Sequence, residues 1–372
     1  MLTLRIRSAM ANAGINQQKL AEAVGLNPSA LSKALSGFRN FKSLEVALIA
    51  EHLDVSVQSL LAEKAEPPVS VAARAQPDTN PALDRALERT AFFRELDRLL
   101  SDLGFDWTAD LGEGAEVAGN AYEQGEELSK HVRARLEIGE GDLPYELTEL
   151  SELLEQRLGV DIGFEPLPAG LDGLCSACGG FRLALVSSSI PATRQRFTLA
   201  HELGHLVAGD SQDLLVDENV FGRKTSDETR ANAFAAAFLM PAATIRAAVP
   251  HGVSEEIVAG LLGRFGVSLD ALAFRLHNVG VVQAAGRDRI RSMSSSRIAL
   301  RSGRASDLQA RGDQRAPGNL LGRAIEAYVQ GKISVRPLAT LLSTDPEQLL
   351  TELKPPGRVS TGDAVDATEY NL

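Results

Sequence analysis

Two histidines and a glutamate stand at a spacing that suits metal chemistry. The stretch RQRFTLAHELGHLVAGD contains the pentapeptide His-Glu-Leu-Gly-His at 201–205. Residues four apart on a helix lie one turn apart on the same face, so His201 and His205 can bind one divalent metal ion. Glu202 lies about 100° round the helix from His201, which suits a general base better than a third ligand. The alternative is a buried helix whose histidines pair with carboxylates.

A third metal ligand is expected downstream of this helix. The segment 226–241, SDETRANAFAAAFLMP, predicts a second helix, and Glu228 lies in its first turn. Glu228 completes a His-His-Glu set that binds one zinc ion per chain and leaves the fourth position open for water. Asp217 and Glu218 are rival ligands, although they suit solvated loop charges. Asn232 is expected either to orient a ligand histidine or to be an ordinary surface residue.

The two motifs together resemble a known family. RQRFTLAHELGH, followed by ETRANAFAAAFLMP, is similar to the ImmA/IrrE family of metallopeptidases, and the resemblance covers roughly residues 112–296. It implies a small gluzincin-like zinc peptidase that acts inside bacterial cells on a repressor protein. By the same resemblance, His201, His205 and Glu228 match the metal ligands and Glu202 matches the catalytic glutamate.

Residues 1–62 predict a bundle of short helices. Gly25 separates a helix that begins near Gln17 from one that begins at Pro28, where Asn27 is the expected cap. The order of residues resembles the Cro/phage-repressor (XRE) helix-turn-helix family, which implies DNA binding through the second of these helices. The residues expected to face bases or phosphates are Gln18, Ser29, Ser32 and Lys33, with Arg39, Asn40 and Lys42 near the DNA backbone. A helical module that docks on protein instead is the alternative.

Composition and charge narrow the class of protein. The net charge of −11 argues against general nucleic-acid binding, so any DNA contact must be confined to one surface, and the first 62 residues are slightly basic. No apolar run of membrane-spanning length and no secretory signal is present, and Cys175 and Cys178 form no disulfide framework. We therefore expect a cytoplasmic protein, without a membrane partner and with two ordinary thiols; a homodimer stays open.

The predicted fold is mainly α with a small sheet. Its expected parts are the helix-turn-helix domain, a linker over 63–82, a peptidase domain with a helical lead-in over 83–296, and a partly disordered segment with a helical subdomain over 297–372. Strands are expected near 160–168 and 180–188, helices over 83–103, 113–138 and 143–160, and a second helix-turn-helix-like rhythm over 253–282. The Arg- and Ser-rich stretch 286–316 predicts disorder or a basic arm, and His251 and His277 are read as surface residues.

Three functions fit these features. The first is a DNA-binding regulator with a zinc peptidase that cleaves a repressor protein in a stress or mobile-element response. The second is a transcription regulator whose metal domain senses a ligand without proteolysis. The third is an antitoxin-like or structural module. Glu202 favours the first function, because a pure sensor needs no general base.

Overall fold

Two units, residues 1–69 and residues 70–372, make up the chain in the computed structural model. The structure describes residues 6, 7, 9, 10, 15–35, 39, 41–53, 55, 60, 81–112, 117–210, 214–218, 225–250, 252–304, 309 and 312–353. The linker predicted over 63–82 lies outside the described residues up to residue 80, as do His251 and the predicted disordered end after residue 353.

The first unit is built from helices α1 (Gln17–Ala23), α2 (Pro28–Leu35) and α3 (Ser43–His52). The turn between α1 and α2 contains Gly25 at a φ of +68°, a conformation that strains any residue with a side chain. The predicted cap is confirmed, because the side chain of Asn27 accepts a hydrogen bond from the amide of Ser29 at 2.9 Å. The three helices pack around one hydrophobic core, in which Leu20, Leu31 and Ile49 are fully buried.

The second unit begins with α4 (Pro81–Asp102), α5 (Ala121–Arg135) and α6 (Leu147–Leu158) and continues through strands β1 (Asp161–Glu165), β2 (Leu171–Cys178) and β3 (Phe181–Ser187). Helix α7 (Ala192–Ala208) and strand β4 (Leu214–Glu218) follow. After β4 come α8 (Ser226–Leu239), α9 (Ala242–Ala248), α10 (Glu255–Phe265), α11 (Leu269–Asn278), α12 (Ala284–Arg291), α13 (Ser295–Arg301), α14 (Gly318–Val329), α15 (Val335–Leu341) and α16 (Pro346–Glu352).

The described strands form one sheet in the order β1-β3-β2-β4. β1 is parallel to β3, and the other two pairings are antiparallel. Successive residues of a strand point to opposite faces, so Ala184 and Val186 lie on the face covered by α7 and α8, while Leu183 and Leu185 face α4, α14 and α15. The sheet is therefore the middle of three layers, with the two predicted histidines on one side of it.

The sequence-based expectations hold for the long elements and fail at three places. The structure confirms strands β1 and β3 and the helices expected over 83–103, 143–160 and 253–282. The helix expected over 113–138 is α5, which begins only after its cap Asn120. Asp217 and Glu218 lie in β4 rather than in a loop, and Cys175 and Cys178 belong to strand β2, which the sequence did not predict. Small and polar residues conceal β2, because they lack strand propensity.

The expected disorder of residues 286–316 is also wrong for the part that the structure describes. Its arginines are satisfied locally: Arg291 bonds Asp270, Arg297 and Arg301 bond Glu255, and Arg304 donates to a backbone carbonyl of α10. These contacts, together with buried Ile290 and Ile298, hold α12 and α13 against the helices before them.

The helices of the predicted C-terminal subdomain pack against the sheet. Arg315 forms a two-way backbone bridge with Phe164 of β1, and its guanidinium bonds the buried carboxylate of Glu155. At the start of α14, Glu155 accepts from the amide of Gly318 at 2.7 Å and Asp161 accepts from the amide of Leu320 at 2.9 Å. Two buried carboxylates therefore bind the positive end of this helix, as expected from its unsatisfied amides.

Asp161 makes the stability of this junction depend on pH. Burial raises the pKa of its carboxyl to about 7, and its second oxygen has no hydrogen-bond partner among the residues that the structure describes. A raised pKa in the folded state means that stability is greatest below the ordinary pKa of 3.8 and falls as the pH rises towards 7. Asp161→Asn keeps the acceptor oxygen and removes the charge. We expect it to be more stable than the wild type at pH 8, by up to about 4 kcal/mol, and similar near pH 4.

Chemical denaturation at several pH values measures this difference. The matched control is Asp142→Asn, whose carboxylate is half-exposed and pairs with Arg264 at the surface. A gap between Asp161→Asn and the wild type that stays constant from pH 4 to pH 8 would show that Asp161 does not titrate in this range.

Among the described residues, no single helix is long and apolar enough to cross a membrane; two sharply bent helix pairs, α8 with α9 and α10 with α11, meet that length and composition only when joined.

Candidate metal centre

Helix α7 carries the two predicted histidines into the core, at one face of the sheet. His205 is fully buried, His201 is 5% exposed, and the helix ends at Gly209, whose φ of +73° is the left-handed conformation of a C-terminal cap. The Nε2 atoms of the two imidazoles lie 3.1 Å apart. Two donors on successive turns of α7 therefore point at one position, as the spacing predicts.

Glu228 joins the two histidines from the first turn of α8. Thr225 caps this helix, and its hydroxyl accepts from the amide of Glu228 at 3.2 Å. One carboxylate oxygen of Glu228 lies 3.4 Å from Nε2 of His201 and the other lies 3.3 Å from Nε2 of His205. Within the described part of the chain, these three residues form the cluster of ligand atoms suited to a metal ion.

The spacing of the three donors matches a tetrahedral zinc ion. Zn–N bonds of about 2.0–2.1 Å in tetrahedral geometry separate two ligand nitrogens by about 3.3 Å, and a carboxylate oxygen lies at a similar distance from each nitrogen. The observed separations are 3.1, 3.3 and 3.4 Å. Glu228 is 31% exposed in its side chain, so the centre is open on that side, where a water or a substrate can enter.

Two glycines allow the ligand helices to approach this closely. A Cβ on Gly204 would lie 3.0 Å from the ring of Phe234 and 3.3 Å from the backbone of Ala231, both on α8. A Cβ on Gly125 of α5 would lie 2.4 Å from the backbone oxygen of Arg230. α8 is therefore pressed between α5 and α7, and this packing brings Glu228 within reach of the histidines.

Glu202 lies beside the three donors, fully buried between α7 and strand β2. The nearest backbone of β2 is Gly173, where a Cβ would lie 2.8 Å from Oε1 of Glu202 and 2.5 Å from the methyl group of Thr198. Only glycine at 173 leaves space for this carboxylate. A carboxylate held in a dry position next to a metal site suits a general base.

Electrostatic interactions in the metal-free site favour a protonated histidine facing an ionised Glu228. Hydrogen bonds to His201 and His205 hold the pKa of Glu228 well below its usual range. Burial alone would lower the pKa of His205, but hydrogen bonds to Asp210 and Glu228 outweigh it and raise that pKa to about 10. A metal ion replaces the proton between these groups when it binds.

The structure adds one supporting residue that sequence reasoning missed. Asp210 accepts from Nδ1 of His205 at 2.9 Å, whereas Asn232 donates to the backbone carbonyl of Glu228, so the role of Asn232 towards a histidine stays a prediction. The position of Asp210, five residues after His205 and directly after the helix cap Gly209, is the sequence signal that identifies it. Nδ1 of His277 donates to the carbonyl of Val282 at 3.1 Å, and His277 lies outside the site.

Most of the residues predicted to face DNA are exposed on the helices of the first unit. Ser29, Ser32 and Lys33 are exposed on one face of α2, opposite the buried Leu31 and Leu35, and Gln18 is exposed on α1. Lys42 is exposed at the start of α3. Arg39 instead forms two hydrogen bonds with the carboxylate of Glu45, at 2.8 and 3.1 Å, and Asn40 lies outside the described residues.

Comparison with known proteins supports both motifs. Residues 155–277 match the family model of the IrrE N-terminal-like domain, Peptidase_M78, and residues 6–60 match a helix-turn-helix family model. The chain thus combines a helix-turn-helix segment of XRE type with an IrrE-like segment that contains His201, His205 and Glu228. Both resemblances seen in the sequence are confirmed over these narrower ranges.

Two curated proteins are similar to part of the chain. The radiation response metalloprotease IrrE of Deinococcus radiodurans is 37% identical over 119 residues, which is 31% of this chain and 31% of that protein. The protein of the same description from Deinococcus deserti is 39% identical over 93 residues, 24% of this chain and 28% of that protein. The chain thus matches less than a third of the length of either relative.

Proposed function

We propose that this protein is a DNA-binding regulator with a zinc-dependent peptidase centre that cleaves a repressor protein. One observation carries the proposal: two imidazoles and a carboxylate stand at zinc-like separations with a buried glutamate, Glu202, beside them. One zinc ion per chain is expected, held by His201, His205 and Glu228. Because the other partner is DNA, we place its action in the cytoplasm.

Glu202 performs the proton transfers in this proposal. A zinc ion held by His201, His205 and Glu228 would supply Lewis acidity for hydrolysis of the amide bond. Glu202 accepts a proton from the attacking water and later donates it to the leaving amine. Its position between α7 and the face of β2 keeps the carboxylate away from bulk water.

The repressor-like first unit supports the choice of substrate. A peptidase that carries its own helix-turn-helix segment can be brought to a repressor either by binding the same operator or by pairing with a similar domain. The two metalloprotease relatives are described as radiation response proteins, which favours a stress response over other triggers. A repressor encoded beside the gene for this protein is therefore the first candidate substrate.

Metal content and metal-dependent cleavage test the peptidase proposal together. We expect about one zinc per chain in the purified wild type and a large loss in His201→Ala. The wild type should cleave the repressor encoded by the neighbouring gene. Cleavage should stop after treatment with a chelator and resume when zinc is returned. Zinc present at one per chain without cleavage of any candidate repressor would favour the second function, a regulator that senses a ligand through its metal domain.

DNA binding is expected through α2. The double variant Ser32→Ala/Lys33→Ala removes a hydroxyl and a charge from the exposed face of this helix without touching its buried side. We expect affinity for the promoter region of the gene itself to fall about tenfold or more, with a smaller dependence on salt concentration.

Mobility-shift or fluorescence anisotropy titrations at two salt concentrations measure this change. The matched control is Ser302→Ala/Lys332→Ala, which removes the same groups from exposed positions of the second unit. Wild-type affinity in the Ser32→Ala/Lys33→Ala variant would exclude α2 as the DNA-reading helix and favour a protein-docking role.

A further inference from the structure

A buried ion pair lies behind the metal centre, on the far side of His205. Asp210 follows the cap of α7, its side chain is 8% exposed, and Oδ2 lies 2.9 Å from Nδ1 of His205. Its other oxygen, Oδ1, accepts from the guanidinium of Arg230. Each oxygen of Asp210 thus has a separate partner, one being a predicted metal ligand and the other a cation.

Arg230 connects this pair to the other elements around the site. It lies on α8 two residues after Glu228, and its guanidinium also bonds Asp227 at 2.8 Å and the side chain of Gln124 on α5 at 3.2 Å. The side chain is 15% exposed. One guanidinium therefore joins the end of α7 and the first turns of α8 and α5, which are the three helices packed together at Gly204 and Gly125.

We propose that Asp210 and Arg230 form a positioning relay for the metal centre, an inference that rests on the proposed zinc site. Asp210 holds the proton of His205 on Nδ1, so that Nε2 presents its lone pair to the metal. Arg230 holds Asp210 in place and, because it shares α8 with Glu228, fixes the distance between the helix that carries the histidines and the helix that carries the carboxylate.

This arrangement explains why both Asp210 and Arg230 are needed to position His205. An imidazole that can rotate about its Cβ–Cγ bond or change its tautomer binds a metal less tightly than one held by a carboxylate on its second nitrogen. Asp210 itself is buried, and burying a carboxylate is costly unless a cation or hydrogen-bond donors surround it. Arg230 supplies both the charge and the donor, whereas Asp227, which is 57% exposed, shares Arg230 without reaching His205.

The experiment measures metal affinity, which does not depend on knowing a substrate. Zinc dissociation constants are obtained by competition with a chromophoric chelator for the wild type and for Asp210→Ala, Asp210→Asn, Arg230→Gln and the control Asp227→Asn. We expect zinc affinity to fall about 10- to 100-fold in Asp210→Ala, by a similar or smaller factor in Arg230→Gln, and by less than about threefold in the control.

A double variant separates a relay from two independent effects. If Arg230 acts through Asp210, then Asp210→Ala/Arg230→Gln binds zinc no more weakly than Asp210→Ala alone. The visible absorption spectrum of the cobalt(II)-loaded proteins reports ligand geometry, and we expect it to change in both single variants but not in Asp227→Asn. Additive losses in the double variant, or an unchanged cobalt spectrum in Asp210→Ala, would overturn the relay.

Failure of this inference is distinguishable from failure of the proposed function. Wild-type protein that binds no zinc would contradict the metal centre itself. Wild-type zinc binding that is lost in His205→Ala but retained at full affinity in all Asp210 and Arg230 variants would contradict the relay alone. Thermal unfolding of the metal-free proteins checks that the fold is intact, and Asp210→Asn, which keeps the shape of the side chain, gives the answer if Asp210→Ala does not fold.

Discussion

Glu202→Gln is expected to bind zinc and DNA almost as the wild type does and to lose cleavage of its repressor substrate by at least about a hundredfold. The amide keeps the shape of the side chain, and the space beside Gly173 accommodates it, but it cannot take a proton from water. The loss should therefore fall on the rate of the chemical step, with little change in substrate affinity.

Single-turnover cleavage of the candidate repressor, with zinc content measured in parallel, tests this expectation. A suitable control is Glu146→Gln, which makes the same chemical change in the cap residue before α6. If Glu202→Gln cells respond to stress with unchanged transcription, although the purified variant has lost cleavage, peptidase action is not the output of this protein. The ligand-sensing function would then replace it.

Glu228→Ala is expected to lower zinc affinity more than any substitution among the rival carboxylates. Its oxygens lie 3.3 and 3.4 Å from the two histidine nitrogens, and removal leaves only two protein ligands. Asp217→Ala and Glu218→Ala, which change residues of strand β4, should retain full zinc content.

Metal analysis after dialysis, followed by chelator competition, ranks these three variants. The physical reason for the expected order is coordination number, since a zinc ion with two protein ligands exchanges readily with solvent. Full zinc content in Glu228→Ala together with loss in Asp217→Ala or Glu218→Ala would show that the third ligand comes from β4.

Local patterns in the sequence were sufficient to predict the chemistry of the site. The spacing of His201 and His205 dictates a shared helix face, and the cap and apolar stripe of the segment 226–241 place Glu228 on a second helix. Gly25 and Asn27 likewise mark the turn of the helix-turn-helix, because both act within a few residues of chain. Such signals survive in a single sequence because the interactions behind them are local.

Tertiary packing decided the features that depend on distant parts of the chain. Cys175 lies in a strand that its own residue types do not favour, because β3 and β4 pair with it on either side. The arginines of 286–304 suggest disorder until their carboxylate partners, Asp270 and Glu255, are brought near. The pKa of Asp161 is raised by its burial in the folded chain, where its hydrogen-bond partner Leu320 on α14 lies 159 residues away in sequence.

The residues around the proposed metal ligands show the same division between local sequence signals and tertiary packing. Asp210 lies only five residues after His205, but Arg230 carries no motif of its own and bonds Asp210 because Gly204 and Gly125 allow α7, α8 and α5 to meet. Spacing along the chain is enough to predict that His201 and His205 share one face of a helix, and the metal ligands proposed here rest on that prediction. The residues that hold those ligands in place are set by which helices touch, and that is a property of the folded chain.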